Sequence, residues 1–315
     1  MGIRIGSFNL FKFSTNSMKN LDVVARIIKD NAVDILAIQE IFSQQALKHL
    51  LMHLGPEWDG KWDSPNSRSV SAAEGYAFVW NKSRIELSKR KDNVKFLPVI
   101  HNQYPHKDGI ALIRNPYYGR FVVKSNEMIE IRLINTHIMY SLNREVNESD
   151  MHDSSIMYQS DVKMRKRELE ILATKILPKI DDKTYDYQWN EVDMICRKPY
   201  TILLGDYNLN LKGSEAKDTF IDEQVIVIQD GNSNKRIVTV QEELTTLKAK
   251  TANEPVINGY RNNFDHFTYD ANRPIQAKCY AVDAPNDSRY YNGDYNKYKD
   301  EISDHLMIIM DLTFV

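Results

Sequence analysis

YTILLGDYNLN, Tyr200–Asn210, is the stretch whose reading decides the fold. Thr201-Ile202-Leu203-Leu204 is a short apolar run bounded by a glycine, the pattern of a buried strand. Gly205 permits a close or unusual backbone path at its end. Asp206 and Asn208 stand two apart, so in an extended backbone their side chains leave from one face. A carboxylate and a carboxamide at the open end of a buried strand suit a hard cation or a phosphate. Several other apolar strands in the chain hand over to a polar side chain in the same way.

Upstream, Ile3, Ile5 and Phe8 predict a first strand that ends at Asn9. Leu21, Val24, Ile27 and Ile28 recur at helical spacing behind Asn20, a natural N-cap. Asp34–Ile38 is a second buried strand with Gln39 and Glu40 at its end. A second helix places Ala46, Leu47, Leu50, Leu51 and Leu54 on one face and stops at Gly55-Pro56. Trp58–Asp63 and Glu74–Trp80 are strands, with an exposed loop over 64–73. Residues 110–113 and 121–123 are expected to form a hairpin through the turn-rich link 114–120. Met128–Thr136 alternates and closes with Asn135-Thr136-His137. Antiparallel pairing of this kind excludes a pure doubly wound parallel sheet.

Between these elements and the last strand, 140–159 and 181–192 read as loops and 162–177 as a helix with Lys163, Arg165, Lys166 and Arg167 on its first turns. A short helix is expected over 215–220 and strands over 226–228 and 236–240. Phe264–Tyr269 and Ile275–Tyr280 look like an antiparallel pair around Ala271-Asn272-Arg273-Pro274. Residues 287–299 are rich in Tyr, Asn and Asp and predict an exposed loop. Leu306–Leu312 is a final buried strand, entered from Ser303-Asp304-His305.

At 315 residues, with 42% hydrophobic and 27% charged side chains, the chain is an ordinary globule with a large core. No repeat, linker or low-complexity tract divides it, so a single domain over 1–315 is expected. The formal net charge of −2 provides no global basic field, so an anionic substrate must be held by a local site or by metal. Two cysteines, Cys196 and Cys279, are too few for a disulfide framework and fit a reducing compartment. Gly2–Leu10 alternates like a strand where a leader would be uniformly apolar, which predicts a cytoplasmic protein.

The polar residues gathered at strand ends are Asn9, Glu40, His137, Asp206, Asn208, Asp265, Asp304 and His305. They fall in six blocks: Ser7-Phe8-Asn9-Leu10, Ile38-Gln39-Glu40, Asn135-Thr136-His137, Gly205-Asp206-Tyr207-Asn208, Phe264-Asp265-His266 and Ser303-Asp304-His305. In types and order the chain resembles the endonuclease/exonuclease/phosphatase superfamily, the deoxyribonuclease-I-like group, over almost its full length. The resemblance implies an α/β four-layered sandwich. Two mixed, mostly antiparallel sheets would pack face to face with helices outside, and the site would lie where strand ends of both meet.

It also implies roles. Glu40 is the main ligand of a divalent cation, Mg²⁺ or Mn²⁺, with Asn9 and Asp304 ligating or orienting it; oxygen ligands suit such hard ions. His305 is the candidate general base, since an imidazole near its ordinary pKa works well at neutral pH, and Asp265 fixes its tautomer. His137, partnered by Glu74, donates to the phosphate or assists the leaving group. Asp206 and Asn208 position water and hold phosphate oxygens, and the division of labour between Asp206 and His305 stays open. Arg114 has the fork geometry for a nucleic-acid phosphate. Arg120 competes for that role, the basic turn 163–167 offers further phosphate contacts, and Tyr140 is a further candidate.

The expected function is a metal-dependent nuclease whose partner is nucleic acid, with DNA favoured by the Arg-Asn-Pro segment and the partnered histidines. The alternatives are a sphingomyelinase-like phospholipid hydrolase, an inositol-phosphate hydrolase, and a non-catalytic binding scaffold. A scaffold predicts loss of Glu40, Asp206, Asp304 or His305, and all four are present. Superfamily folds host many substrates, because specificity lives in loops.

Overall fold

The computed structural model describes residues 2–64, 74–88, 112–140, 161–183, 186–189, 193–196, 198–210, 225–230, 233–273 and 275–315. Two mixed sheets face each other. The first takes β1 (Gly2–Phe13), β2 (Ile35–Ile41), β3 (Trp58–Asp63), β4 (Gly75–Asn81), β14 (Ile275–Ala281) and β15 (Ile308–Phe314), in the order β14-β15-β1-β2-β4-β3. The second takes β5 (Ile85–Leu87), β6 (Tyr117–Val123), β7 (Asn126–His137), β10 (Lys198–Asp206), β11 (Val225–Asp230), β12 (Ser233–Val240) and β13 (Asp265–Asp270), in the order β11-β12-β13-β10-β7-β6-β5. A separate hairpin joins β8 (Asp186–Trp189) to β9 (Asp193–Cys196). Each large sheet has one parallel pairing, β1 with β2 and β7 with β10, and is otherwise antiparallel.

The layers follow from which faces are apolar. Ile3, Ile5, Ile35, Phe78 and Met310 of the first sheet pack against Phe121, Ile131, Leu133, Ile202, Leu204 and Phe267 of the second, and form the inter-sheet core. On the outer face of the first sheet lie α1 (Leu21–Asp30), α2 (Gln44–Leu54) and α5 (Tyr295–Glu301). On the outer face of the second lies one run of helix, α3 (Asp161–Ile171), a π-helical turn at Leu172–Ile176 and α4 (Leu177–Asp181). The expected four-layered sandwich is therefore present. None of the described helices is long and apolar enough to cross a membrane.

Local signals did most of their work as expected. The Asn20 side chain accepts from the Val23 amide and Ser43 from Ala46, each such cap being worth about 1 kcal/mol. Gly55 ends α2 with a φ of 94°. Gly205 is required outright: its φ is 139°, and a Cβ there would lie 1.9 Å from the Thr136 carbonyl oxygen on the neighbouring strand.

Five expectations need correction, and others fall outside the described residues. The first strand, expected to end at Asn9, runs on to Phe13. Tyr117–Val123 is one continuous strand, favoured by its aromatic and β-branched residues. It pairs with β7 and β5, not with 110–113, whose described members Leu112 and Ile113 lie outside any strand. The strands around Ala271–Pro274 do not pair with each other. β13 already has β10 on one side and β12 on the other, so the chain crosses to the first sheet, where β14 joins the edge beside β15. Part of the loop expected over 181–192 is the strand β8, and part of that expected over 287–299 is helix α5, which buries Tyr298 completely. The expected helix over 215–220, most of the loop over 64–73 and the loop beyond Tyr140 lie outside the described residues.

Candidate active site

Register brings the site together. In the second sheet Asp206 is level with His137 across the parallel β7–β10 pair and with Asp265 across the antiparallel β10–β13 pair. In the first sheet Asn9 of β1 is level with Gln39 of β2, one residue before Glu40. A bulge between Ile38 and Ile41 lets Glu40 take a φ of 56°, and Asn208 has a φ of 51°. Side chains other than glycine rarely adopt this left-handed conformation, and it clusters at functional sites.

Two amides tie the sheets at this end. Asn135 of β7 donates Nδ2 to the carbonyls of Ile38 (3.0 Å) and Ala77 (3.3 Å). Its Oδ1 accepts from Gln39 Nε2 at 2.7 Å. Ser303 donates to the Asn9 carbonyl at 2.6 Å and accepts from the His305 amide at 3.1 Å, so the last strand enters at a fixed level. Asn135, Gln39 and Ser303 belong to the recurring sequence blocks, and their contacts show why those positions are polar yet buried.

The cleft measures about 480 Å³ and is lined by Glu40, Arg114, His137, Asp206, Asn208, Asp304 and His305, with Phe11, Met139 and Tyr140. Asp206 Oδ2 is the atom that several of these groups approach. His137 Nε2 lies 3.5 Å from it and His305 Nε2 lies 3.6 Å from it. The Asn9 amide donates to the same oxygen at 3.1 Å, and the Asn208 backbone amide donates to Oδ1 at 2.9 Å. Behind His305, Nδ1 meets Asp265 Oδ2 at 2.9 Å; behind His137, Nδ1 meets Glu74 Oε1.

These partners set the charges. Burial pushes the His305 pKa down, but the carboxylates of Asp265 and Asp206 outweigh it and hold the imidazole well above its ordinary value. That differs from the expected near-ordinary pKa, and it follows from two buried acids facing one ring. Burial likewise lowers His137, and Glu74 more than reverses it. Burial raises Glu74, but His137 and Arg114 bring it below the usual carboxylate range. Both histidines are therefore biased toward their doubly protonated forms.

Glu40 Oε2 accepts from the Lys12 amide at 3.0 Å and Oε1 from Asn9 Nδ2 at 3.1 Å. Asn9 Oδ1 accepts from the Phe11 amide at 2.9 Å, and its Nδ2 is the atom presented to Glu40, which it orients. Asp304 also lines the cleft, and its buried Oδ1 has no hydrogen-bond partner among the described residues. Two carboxylates of this kind, one with an orphaned oxygen, fit a hard divalent cation. Asp206, Asp265 and His305 also bring one ligand atom each within 4.8 Å of one another, a group that could hold a metal ion. In that trio the Asp265–His305 contact is already spent on a ring proton, which favours Glu40 and Asp304 as the oxygen donors.

The remaining expectations divide. Arg114 lines the cleft, but its guanidinium grips Glu74, with Nη2 2.8 Å from Oε2 and Nη1 3.1 Å from Oε1. Arg120 is elsewhere: it is buried against Glu130 and Ser88 in the second sheet, away from the cleft. Of the basic turn, Arg165 lies 4.5 Å over the Tyr140 ring and donates to the Tyr140 carbonyl at 2.7 Å. Asn208 spends Nδ2 on the Ile138 carbonyl at 2.8 Å. Sequence reasoning missed Lys19, which burial brings to about 8 against the pull of Asp304 and Glu40, and it missed Phe11 at the rim. Phe11 lies in the bulged end of β1 and Lys19 in the loop after it, where periodicity carries no signal.

Two packed mixed sheets with outer helices and a cleft of acids and histidines at their strand ends define a deoxyribonuclease-I-like fold. It is the fold of the endonuclease/exonuclease/phosphatase superfamily, as solved structures show. An endonuclease/exonuclease/phosphatase family protein from Bacteroides thetaiotaomicron matches with a TM-score of 0.58 at 14% identity, over 100% of this chain and 98% of that one. A mannosyl-6-phosphatase of the same species gives 0.57 at 14%, over 99% and 100%. TDP2 of D. rerio in complex with a single-strand DNA product gives 0.56 at 15%, over 99% of each chain. No protein-family model and no curated protein matches the sequence.

Proposed function

We propose that this chain is a divalent-metal-dependent phosphodiesterase, and that DNA is its substrate. The observation that carries the proposal is the placement of Asp206 Oδ2 between two imidazole Nε2 atoms, each backed by a second carboxylate. Such an array holds, takes and gives protons at one point of the cleft, which is what in-line attack of water on a phosphate ester requires. Glu40 and Asp304 would hold Mg²⁺ or Mn²⁺, which neutralises phosphate charge and stabilises the departing oxygen.

The chain's own groups supply the rest. His137, charged and fixed by Glu74, donates from Nε2 toward a phosphate oxygen or the leaving group. Asp206 Oδ2 accepts from the attacking water. His305 Nε2 lies 3.6 Å from that oxygen, so it acts on the same water and serves as base in the form that has released its own proton. Tyr140, 57% exposed at the cleft, offers a ring face on which a base can stack. TDP2, a structural neighbour, is known with single-strand DNA, which supports a nucleic-acid reading.

A substrate panel with Mg²⁺ present tests the proposal: plasmid, linear duplex, single-stranded DNA, RNA, sphingomyelin, inositol phosphates and sugar phosphates. Cleavage of DNA above the others is expected. Turnover confined to a phosphomonoester or a lipid would replace DNA with that substrate.

A further inference from the structure

We propose that Glu168, on α3 in the outer helix layer, is a positioning residue that acts on His137 through Arg114 and Glu74. Glu168 is only 2% exposed and does not line the cleft. Its Oε1 accepts from the backbone amide of Ile113, and the Arg114 amide also reaches the carboxylate. Ile113 and Arg114 lie in an irregular segment with no strand ladder to hold them. One buried anion therefore fixes two consecutive amides that would otherwise lack β partners.

From that anchored backbone the Arg114 side chain reaches Glu74 with both terminal nitrogens. Glu74 Oε1 and Arg114 Nη1, the latter at 2.8 Å, both meet His137 Nδ1, and the opposite nitrogen faces Asp206 at 3.5 Å. The Arg–carboxylate fork fixes the plane of Glu74 as well as its position, because bidentate pairing is directional. The chain of contacts runs from the helix layer through the segment before β6 and the residue before β4 to the Asp206-facing nitrogen of an imidazole. Releasing its first link frees Arg114 to leave Glu74, and His137 then loses its oriented tautomer.

The groups whose charge acts on Glu168 are Arg114 and His137, and it acts in turn on the Tyr76 hydroxyl. Burial raises the Glu168 carboxyl, and the Ile113 amide and Arg114 only partly offset it, leaving it at about 7. The latch is therefore charged above that pH and weakens below it.

The inference rests on His137 being a working imidazole of the proposed site, but the relay can be read without turnover. The probe is the downfield Nδ1 proton resonance of each partnered histidine in the ¹⁵N-histidine-labelled protein, across pH 5.5 to about 8.5, a window chosen to bracket the carboxyl. In wild type the His137 signal should sharpen as pH rises through about 7. Glu168→Gln keeps one acceptor and no charge, so it should show the wild type's acid-side signal at every pH. Glu168→Leu should lose the His137 signal and keep that of His305, which reports an intact fold.

With bis(p-nitrophenyl) phosphate and Mg²⁺, Glu168→Gln should lower kcat about tenfold at pH 8 with KM unchanged. A His137 signal in Glu168→Gln that still follows the wild-type pH course would overturn the relay, whether or not Glu168→Leu folds. An inactive wild type that shows the expected resonances would instead remove the phosphodiesterase reading and leave the relay standing.

Discussion

Asp265 holds His305 by one contact, Oδ2 to Nδ1 at 2.9 Å, and the carboxylate has no exposure at all. Its other oxygen has no partner among the described residues. A buried acid satisfied by a single ring proton is there to choose which nitrogen of the ring faces the cleft. Asp265→Asn keeps shape and removes charge, so His305 loses the largest of the carboxylates that raise its pKa, and with it its preferred tautomer. We expect kcat to fall by about 10²-fold or more with the thermal midpoint nearly unchanged. A rate within twofold of wild type would show that the pairing is structural only.

Much of this site was legible in the sequence because it is built from strand ends, and strand ends are local events. Gly205-Asp206-Tyr207-Asn208 announces its own turn, and Ser303-Asp304-His305 opens its own strand. Sheet membership was harder. β14 looks like the hairpin partner of β13, and only the occupied edges of β13 send it to the other sheet. The role of Arg114 was illegible for a similar reason. A guanidinium in a polar loop reads as exposed, and its partner Glu74 lies 40 residues away. Glu168 gave no signal either, since a helix acid is read as solvated unless the segment packed beneath it is known. Asn9 was placed at the right point, but its turn of Nδ2 toward Glu40 was not legible, because the Phe11 amide that holds its oxygen comes from a left-handed stretch no periodicity predicts.

That orientation makes a graded prediction about metal. In the proposed site Glu40 and Asp304 would offer oxygens to a cation, whereas Asn9 would steady Glu40. Glu40→Gln and Asp304→Asn should each weaken Mn²⁺ binding by more than about tenfold in a calorimetric titration, and Asn9→Ala by about tenfold. Excess chelator should abolish activity in wild type. Equal Mn²⁺ affinity in wild type and Glu40→Gln would remove Glu40 from the ligand set.

Gly205 tests the fold where it meets the site. A methyl group there would collide with the Thr136 carbonyl at 1.9 Å, in a backbone with a φ of 139°. Because backbone meets backbone, no side chain can swing aside to relieve the overlap. Gly205→Ala should cost more than about 4 kcal/mol in urea unfolding, or prevent folding. A loss under about 1 kcal/mol would mean that β7 and β10 are not packed at this distance.

The last prediction follows from the Glu168 carboxyl and concerns stability in place of rate. Its unfolded pKa is 4.5 and burial lifts the folded one to about 7. A raised acid is stabilising in its protonated form, so that contribution is complete below pH 4.5 and disappears as pH climbs through about 7. At pH 8 the wild type should therefore carry a penalty of at most about 3 kcal/mol relative to pH 5 from this group. Glu168→Gln has no such proton to lose. Its urea unfolding free energy should fall less between pH 5 and pH 8 than that of wild type. The variant should therefore be relatively more stable at the pH where it is relatively slower. Identical pH dependence of stability in the two proteins would show that the carboxyl titrates at its ordinary value, and the charged latch would go with it.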